Sequence, residues 1–276
     1  MNKLLKYIFA ILFYLSLTIV VLINILNSTI LSKEYILNKL EESNYYNNIY
    51  TEVENNFENY IYQSGLDPIV LENIVSRDKI KEDTNIIISN IYDGNNKVID
   101  LEVVRNNLST NIDKSLEDRY LSEENKKAIN KFIDIIINEY EDTIMNTDYS
   151  SKINTGISSI NNKINMINII MIILVIISIL SLILLNIKKK RRKLSIFGIP
   201  LLALGLLLIT IYLYIILNID INNIVILNDA ISIAVHYILN GIVVKFLING
   251  SIFTILGILI IIIGNMLRYR KVKKMS

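Results

Sequence analysis

Four long runs of apolar residues, none of which contains a charged side chain, constrain this chain more than any other feature. A helix needs about 20 apolar residues to cross the roughly 30 Å hydrocarbon core of a bilayer. The runs that meet this requirement are residues 7–26, 164–187, 195–217 and 246–267. The sequence therefore predicts an all-α chain, a bundle of four transmembrane helices with a helical extracytoplasmic domain inserted between spans 1 and 2.

Charge is divided between the two sides that these spans would separate. Residues 28–163 hold 14 Lys and Arg against 24 Asp and Glu, a net charge of −10, although the whole chain carries only +2. Of the 14 basic residues elsewhere, 13 lie at positions 3–6, 188–193 and 268–274. Because Lys and Arg mark the cytoplasmic side of a membrane protein, we expect both termini in the cytoplasm and residues 28–163 outside, in a multi-pass protein of the cell membrane.

The apolar runs and the charges together divide the chain into eight segments. We expect a cytoplasmic N terminus with the first span in residues 1–27, the outer helical domain in 28–163, the second span in 164–187, a basic cytoplasmic loop in 188–194, the third span in 195–217, an outer loop in 218–245, the fourth span in 246–267 and a basic cytoplasmic tail in 268–276. The first apolar run is longer than the 7–15 residues typical of a cleaved signal peptide. We therefore expect it to remain as an uncleaved anchor.

The outer domain has the spacing and the boundary residues of helices. Apolar residues recur every four positions over 49–61, with Gly65 as the end of that helix, and Ser76 and Gly94 bracket another. A further stripe runs from about 151 into the second span, which predicts one long helix over 151–187. The many β-branched Ile residues leave a β-rich domain as the alternative, although only residues 97–101 alternate as a strand would.

Two groups of polar residues in the outer domain invite a functional interpretation. Acidic clusters, among them Asp78, Glu82 and Asp83, match no calcium-binding loop, so we interpret them as solvated helix faces. Aromatic rings can stack on sugars or bases, but packing or a position at the membrane interface explains the tyrosines better. The tyrosines concerned are Tyr35, Tyr45, Tyr46, Tyr50, Tyr60 and Tyr62.

The second outer loop carries a narrow polar stripe at helical spacing. Its members include Asp229, Ser232 and His236, and the positions between them are mostly apolar. The pattern predicts an amphipathic helix that lies in the outer interface or tucks back between the spans, with Gly241 allowing a break. Asp229 and His236 are seven residues apart, about 10 Å along a helix. A catalytic triad needs contacts near 3 Å, so we interpret this polar face as non-catalytic.

The basic loop between the second and third spans is expected to contact lipid headgroups, at about 1 kcal/mol per basic residue. Its residues are Lys188, Lys189, Lys190, Arg191, Arg192 and Lys193. The chain contains no Cys and one His, which excludes thiolate and multi-histidine metal sites. Phosphate-binding, nucleophile-elbow and zinc-protease motifs are also missing from the sequence. We therefore expect no cofactor, no catalytic residue and no nucleic-acid partner.

The residues Ser-Gly-Leu-Asp-Pro at 64–68 and Ile-Tyr-Asp-Gly at 91–94 resemble a set of uncharacterised Gram-positive-type integral membrane proteins. The resemblance implies a bacterial protein with an N-terminal anchor, a helical extracytoplasmic domain and later membrane spans. The layout also resembles that of the four-span permease partners of ABC ATPases in bacterial cell division. Neither resemblance implies an activity or a site residue.

These observations predict a non-enzymatic plasma-membrane protein whose outer helical domain binds a cell-envelope protein or ligand. The alternative is a permease-like or accessory subunit of a membrane transporter, of the ABC type, within a membrane-protein complex. A membrane enzyme that uses the second outer loop is a third alternative, which the lone histidine disfavours. Membrane lipids are the partners expected under all three.

Overall fold

The computed structural model describes residues 2–95, 97–116, 122–145, 147–185, 195–226 and 228–272. These residues are helical nearly throughout, and no β-strand occurs among them. The helices are α1 Asn2–Asn27, α2 Lys33–Glu42, α3 Tyr45–Ser64, α4 Arg77–Asp93, α5 Glu102–Ser115, α6 Glu123–Met145, α7 Thr147–Leu185, α8 Ser195–Asn218 and α9 Asp229–Val272, with short 3-10 turns at Pro68–Leu71 and Ile221–Asn223. The all-α prediction is confirmed, and residues 97–101 form no strand.

The contacts along the backbone divide the chain into two compact units. One unit, which we call the apolar unit, consists of Met1–Ser32, Ile160–Val225 and Ile238–Ser276. The other, which we call the polar domain, consists of Lys33–Ser159 and Ile226–Tyr237. The second outer loop therefore contributes its residues 226–237 to the same compact unit as most of the predicted outer domain.

Four helices are long and apolar enough to cross a membrane, as the sequence predicts. They include the segments Leu4–Asn27, Ile160–Leu185, Ile196–Asn218 and Asp229–Met266. In the apolar unit, Val21 and Ile25 of α1 pack against Leu204 and Leu208 of α8. Near the other end of this pair of helices, the Phe13 ring meets the Phe197 ring edge to face, with 6.0 Å between the ring centroids.

Helices α8 and α9 touch backbone to backbone at paired glycines. A Cβ added to Gly205 would lie 2.7 Å from the carbonyl oxygen of Gly250, and one added to Gly198 would lie 3.0 Å from that of Gly257. Because each pair is seven residues from the next along its helix, both contacts fall on the same side of α8 and of α9. The glycines at these positions thus allow the two backbones to approach closely.

The predicted start and stop signals of the polar domain are confirmed at the helix ends. The apolar residues at four-residue spacing on α3 are all buried, and they are Ile49, Val53, Phe57 and Ile61. Helix α3 ends at Gly65, whose φ of 70° lies in the left-handed region that glycine adopts at little cost. The Ser76 hydroxyl accepts a hydrogen bond from the backbone N–H of Lys79 at 3.1 Å and so caps α4.

Two helices are longer than a single bilayer crossing. Helix α7 runs without interruption over Thr147–Leu185, which confirms the long helix predicted over 151–187 as far as the described residues extend. Helix α9 covers 44 residues, Asp229–Val272, and continues through Gly241, where the sequence allowed a break. A single glycine costs only about 1 kcal/mol inside a helix, and the flanking apolar residues are sufficient to continue it.

Candidate functional site

The polar face predicted from Asp229, Ser232 and His236 is built into the start of α9. The sequence predicts that this outer loop lies in the membrane interface or tucks back between the spans. In the structure, its residues 226–237 belong to the polar domain. The Asn228 side-chain nitrogen donates to both carboxylate oxygens of Glu52 on α3, at 2.6 Å each. Its side-chain oxygen accepts from the backbone N–H of Ile231 at 3.0 Å. Asn228 thus caps α9 and fastens this segment to α3.

The Ser232 hydroxyl has both of its hydrogen-bonding roles filled within the same segment. It accepts from the backbone N–H of Ile226 at 2.8 Å and donates to the carbonyl oxygen of Ile226 at 3.1 Å. The side chain is buried. Asp229 lies in the first turn of α9, where a carboxylate is favoured by the helix dipole. His236 follows two turns later on the same helix, so the geometry supports a structural interpretation of this face.

The basic loop is the second group of site residues that the sequence predicts. Lys188, Lys189, Lys190, Arg191, Arg192 and Lys193 lie outside the described residues. Their contact with lipid headgroups therefore stays a prediction.

A buried carboxylate links α4 to α6 and was missed by the sequence analysis. Asp83, which we expected on a solvated face, is 0% exposed. It accepts a hydrogen bond from the Tyr140 hydroxyl at 2.5 Å and pairs with the Lys79 ammonium at 2.6 Å. Burial, and then the hydrogen bond to Asp83, raise the pKa of Tyr140. The solvated-face prediction is wrong for Asp83, because these two partners compensate its burial.

The tyrosines of α2 and α3 do not form one stacking surface. Tyr46 is buried, and burial followed by the charge of Glu41 raises its pKa to about 12. Tyr60 donates to the Glu139 carboxylate on α6 at 2.7 Å. Tyr62, by contrast, is 82% exposed. Packing explains the first two, as predicted, but it leaves Tyr62 without an explanation.

A cleft of about 280 Å³ lies beside Tyr62, between α3 and residues 68–75. The apolar residues beneath it are themselves buried, and they are Val53, Phe57, Ile61, Ile74 and Val75. The accessible apolar surface of the cleft therefore comes from Tyr62, Pro68 and Leu71. Exposed carboxylates also line the cleft: Glu54 and Glu58 on α3, and Glu72 on the other wall.

Two asparagines of α5 hold the second wall of this cleft in place. The Asn111 side-chain nitrogen donates to the carbonyl oxygens of Val70 and Glu72, at 3.2 and 2.9 Å. Asn107, one turn earlier, donates to the carbonyl oxygen of Ile74 at 3.2 Å. Because these amides satisfy carbonyl oxygens of a 3-10 turn and of the irregular residues after it, the wall is held in place by the protein itself. The sequence analysis missed both asparagines, and their spacing of four residues beside buried residues of α5 is the signal that could have identified them.

Some acids of the polar domain form ion pairs and others, including the three that line the cleft, form none among the described residues. Elsewhere Glu41 pairs with Arg77 and Lys81, and the hydrogen bond from Lys81 is the main reason that its pKa is lowered. In the part of the chain that the structure describes, no ion pair involves Glu54, Glu58 or Glu72. The cleft therefore carries negative charge that the domain itself does not neutralise.

Exposed apolar groups continue from the cleft to the surface. Tyr62 lines the cleft, and Ile69, on the 3-10 turn that forms the other wall, is 54% exposed. Large apolar side chains exposed beside a pocket are typical of binding surfaces. Within the described ranges no group of three or more His, Cys, Asp and Glu residues is arranged to hold a metal ion.

Comparison of the chain with models of protein families, with curated proteins and with solved structures gives no match.

Proposed function

We propose that this chain is a non-enzymatic plasma-membrane protein that presents its polar domain outside the cell and binds a cell-envelope partner or ligand there. Four helices of sufficient length and apolarity support the membrane location. The division of charge supports the orientation, because residues 28–163 carry −10 and the ends of the spans on the other side are basic.

The cleft beside Tyr62 is the observation that carries the binding role. It has exposed apolar groups at Tyr62 and Pro68, a wall fixed by hydrogen bonds from α5, and carboxylates that form no ion pair among the described residues. A largely preformed cleft that combines apolar surface with a few polar groups is the usual form of a ligand site. The polar stripe of α9, by contrast, has Asn228 and Ser232 engaged in fastening their own segment.

The orientation is tested by labelling single introduced cysteines in intact cells. The chain has no cysteine of its own, so any label on the protein reports the introduced position. Asp100 is an exposed residue of the polar domain, and Asp100→Cys is expected to react with a membrane-impermeant maleimide. Ser276→Cys, near the basic tail, is expected to react only after the cells are permeabilised. The reverse pattern contradicts the proposed topology.

The binding role is tested by photo-crosslinking in living cells. A photoreactive amino acid at Tyr62 is expected to give one discrete adduct, and the same group at Ile69 is expected to give the same adduct. Thr110, exposed on α5 and not among the residues lining the cleft, is the control and is expected to give none. Adducts of equal yield at all three positions, or no adduct at Tyr62 and Ile69, contradict binding at the cleft.

A further inference from the structure

The segment that joins α8 to α9 carries exposed apolar side chains. Leu217, at the end of α8, is 78% exposed, Ile219 is 45% exposed and Val225 is 84% exposed. Asp220 is the only charged residue among them. Residues 217–225, which we call the connecting segment, therefore present apolar surface with almost no charge beside it.

The connecting segment is held in shape by its own hydrogen bonds. The backbone N–H of Asn223 donates to the carbonyl oxygen of Asp220 at 3.1 Å, and its side-chain nitrogen donates to the Asp220 carboxylate at 2.7 Å. The Ile221 side chain, in the same 3-10 turn, is only 8% exposed, so its burial anchors the turn. A polar group costs less to remove from water when it already has a hydrogen-bond partner, and the turn supplies such partners.

The exposed apolar side chains continue the surface of a helix that is able to span a membrane. Helix α8 includes the candidate span Ile196–Asn218, and near its end Leu213 and Ile216 are 48% and 52% exposed. Side chains exposed on such a helix face hydrocarbon when it crosses a bilayer. Ile219 and Val225 follow within the next few residues and belong to the same apolar unit. The apolar environment that continues past the end of the span is the boundary between acyl chains and headgroups, where an aliphatic side chain gains by leaving water.

The start of α9, which the sequence predicts as the interfacial element, is engaged within the polar domain. Ala230 and Ala234 on this part of the helix are buried, and the Asn228 side chain is hydrogen-bonded to Glu52. The exposed apolar side chains of the second outer loop are instead those of residues 217–225. Contact with the membrane interface is therefore expected from that segment.

We infer that the connecting segment inserts Ile219 and Val225 into the outer leaflet of the membrane, at the boundary between the acyl chains and the headgroups. The inference rests on the proposed function for the leaflet that is met. Insertion extends the lipid contact of α8 beyond the end of its span and holds the connection between α8 and α9 at a fixed depth. Because the segment contains no Lys or Arg, the contact depends on apolar side chains and requires no anionic lipid.

The test places a single tryptophan in the full-length protein, which has none of its own. Val225→Trp and, separately, Ile219→Trp are reconstituted in vesicles of phosphatidylcholine whose acyl chains are brominated close to the headgroup, because bromine quenches tryptophan fluorescence on contact. We expect the fluorescence of both variants to fall by about half or more relative to vesicles of unbrominated lipid, as for side chains buried at the headgroup and acyl boundary.

Val98→Trp is the matched control. Val98 is 88% exposed, close to the exposure of Val225, and it lies in the polar domain before α5. Lys97 and Asp100 flank it, and charged side chains are costly to bring into a bilayer. We expect this variant to keep its fluorescence in brominated lipid and to be quenched by iodide added to the water. In a second comparison, brominated phosphatidylglycerol replaces part of the phosphatidylcholine, and Val225→Trp is expected to be quenched to the same extent.

Several results overturn the inference. They are fluorescence of Val225→Trp that brominated lipid does not quench, equal quenching of Val98→Trp, and quenching that requires phosphatidylglycerol. Emission of Val225→Trp at shorter wavelength than that of Val98→Trp, without quenching by lipid, also overturns it, because a protein surface then covers the segment.

The proposed function fails separately. If Asp100→Cys is labelled only after permeabilisation while Val225→Trp is quenched, the orientation is wrong and with it the leaflet, whereas insertion of the segment is supported. If Asp100→Cys is labelled in intact cells and Val225→Trp is not quenched, the inference is wrong and the orientation stands.

Discussion

Substitution of Gly205 by Ala tests the closest contact in the apolar unit, where two physical effects have opposite signs. In an isolated helix this change is stabilising by about 1 kcal/mol, because Ala is the better helix former. In the structure, the added methyl carbon would lie 2.4 Å from the backbone nitrogen of Thr254 and 2.7 Å from the carbonyl oxygen of Gly250. Both atoms belong to the backbone of α9, so no side-chain rotation relieves the clash and the helices must separate.

Overpacking of this kind costs typically about 1–3 kcal/mol, and separation of the helices also weakens the neighbouring contact of Gly198 with Gly257. We therefore expect Gly205→Ala to lower the free energy of unfolding by about 1–3 kcal/mol. The assay is denaturation of the full-length protein with sodium dodecyl sulfate in mixed micelles, followed by far-ultraviolet circular dichroism. Ala203→Leu, at an exposed position on the same helix, is the control and is expected to change stability by less than about 0.5 kcal/mol.

A double-mutant cycle with Gly250→Ala makes the test specific to the contact. Once the first substitution has separated the helices, the second causes a smaller clash. The double variant is therefore expected to lose less unfolding free energy than the two single variants lose in sum. Coupling between residues in contact is about 0.5–3 kcal/mol. If Gly205→Ala stabilises the protein, or if the losses of the two single variants add without coupling, the close contact between the backbones of α8 and α9 is contradicted.

Three further predictions concern the polar domain, and all are measured on the full-length protein in mild detergent, the first and third by thermal denaturation and the second by hydrogen exchange. Asp83→Ala is expected to cost about 3–5 kcal/mol, since it leaves the Lys79 ammonium buried without its partner, whereas Asp134→Ala removes an exposed ion pair and costs at most about 1 kcal/mol. Asn228→Ala removes a helix cap and a hydrogen bond to a carboxylate. A hydrogen bond to a charged group contributes about 1.5–3 kcal/mol, so the rate of hydrogen exchange over residues 229–237 is expected to rise by at least tenfold. An unchanged exchange rate contradicts the capping role of Asn228. Burial raises the pKa of Tyr46 from the ordinary value of 10.0 to about 12. The unfolded state therefore loses this proton first, and the stability of the domain is expected to fall between pH 10 and 12. Tyr46→Phe is expected to reduce this loss of stability with pH, and an unchanged pH dependence contradicts the prediction.

The parts of this fold that the sequence predicts are those that depend on residues close together in the chain. The four spans follow from uninterrupted apolar runs, and the ends of α3 and α4 follow from Gly65, Ser76 and Gly94, each acting within a turn of its own helix. The buried state of Asp83 depends instead on Tyr140, which is 57 residues away. Periodicity places both residues on helices but does not say that these faces meet, so the acid was assigned to solvent.

The same distinction explains why the candidate site was not predicted. The cleft needs α3 for one wall and residues 68–75, a short 3-10 turn with the irregular residues after it, for the other, and that segment is held by Asn107 and Asn111 of α5. No motif connects these elements, because backbone carbonyls carry no sequence signature. The sequence therefore predicts binding by the outer domain but does not identify the residues that carry it.

The polar residues at the start of α9 and those that line the cleft differ in whether they already have partners within the protein. Asn228, which caps α9, and Ser232 on α9 are polar residues of kinds often found in functional sites, but their side chains are hydrogen-bonded to the Glu52 carboxylate and to the backbone of Ile226. Moving either side chain toward a ligand would break these hydrogen bonds, each worth about 1 kcal/mol or more. Glu58 and Glu72 are exposed, take part in no ion pair among the described residues, and line the cleft. A ligand that meets them breaks no ion pair of the protein, and for this reason we expect a partner to bind at the cleft and not at the start of α9.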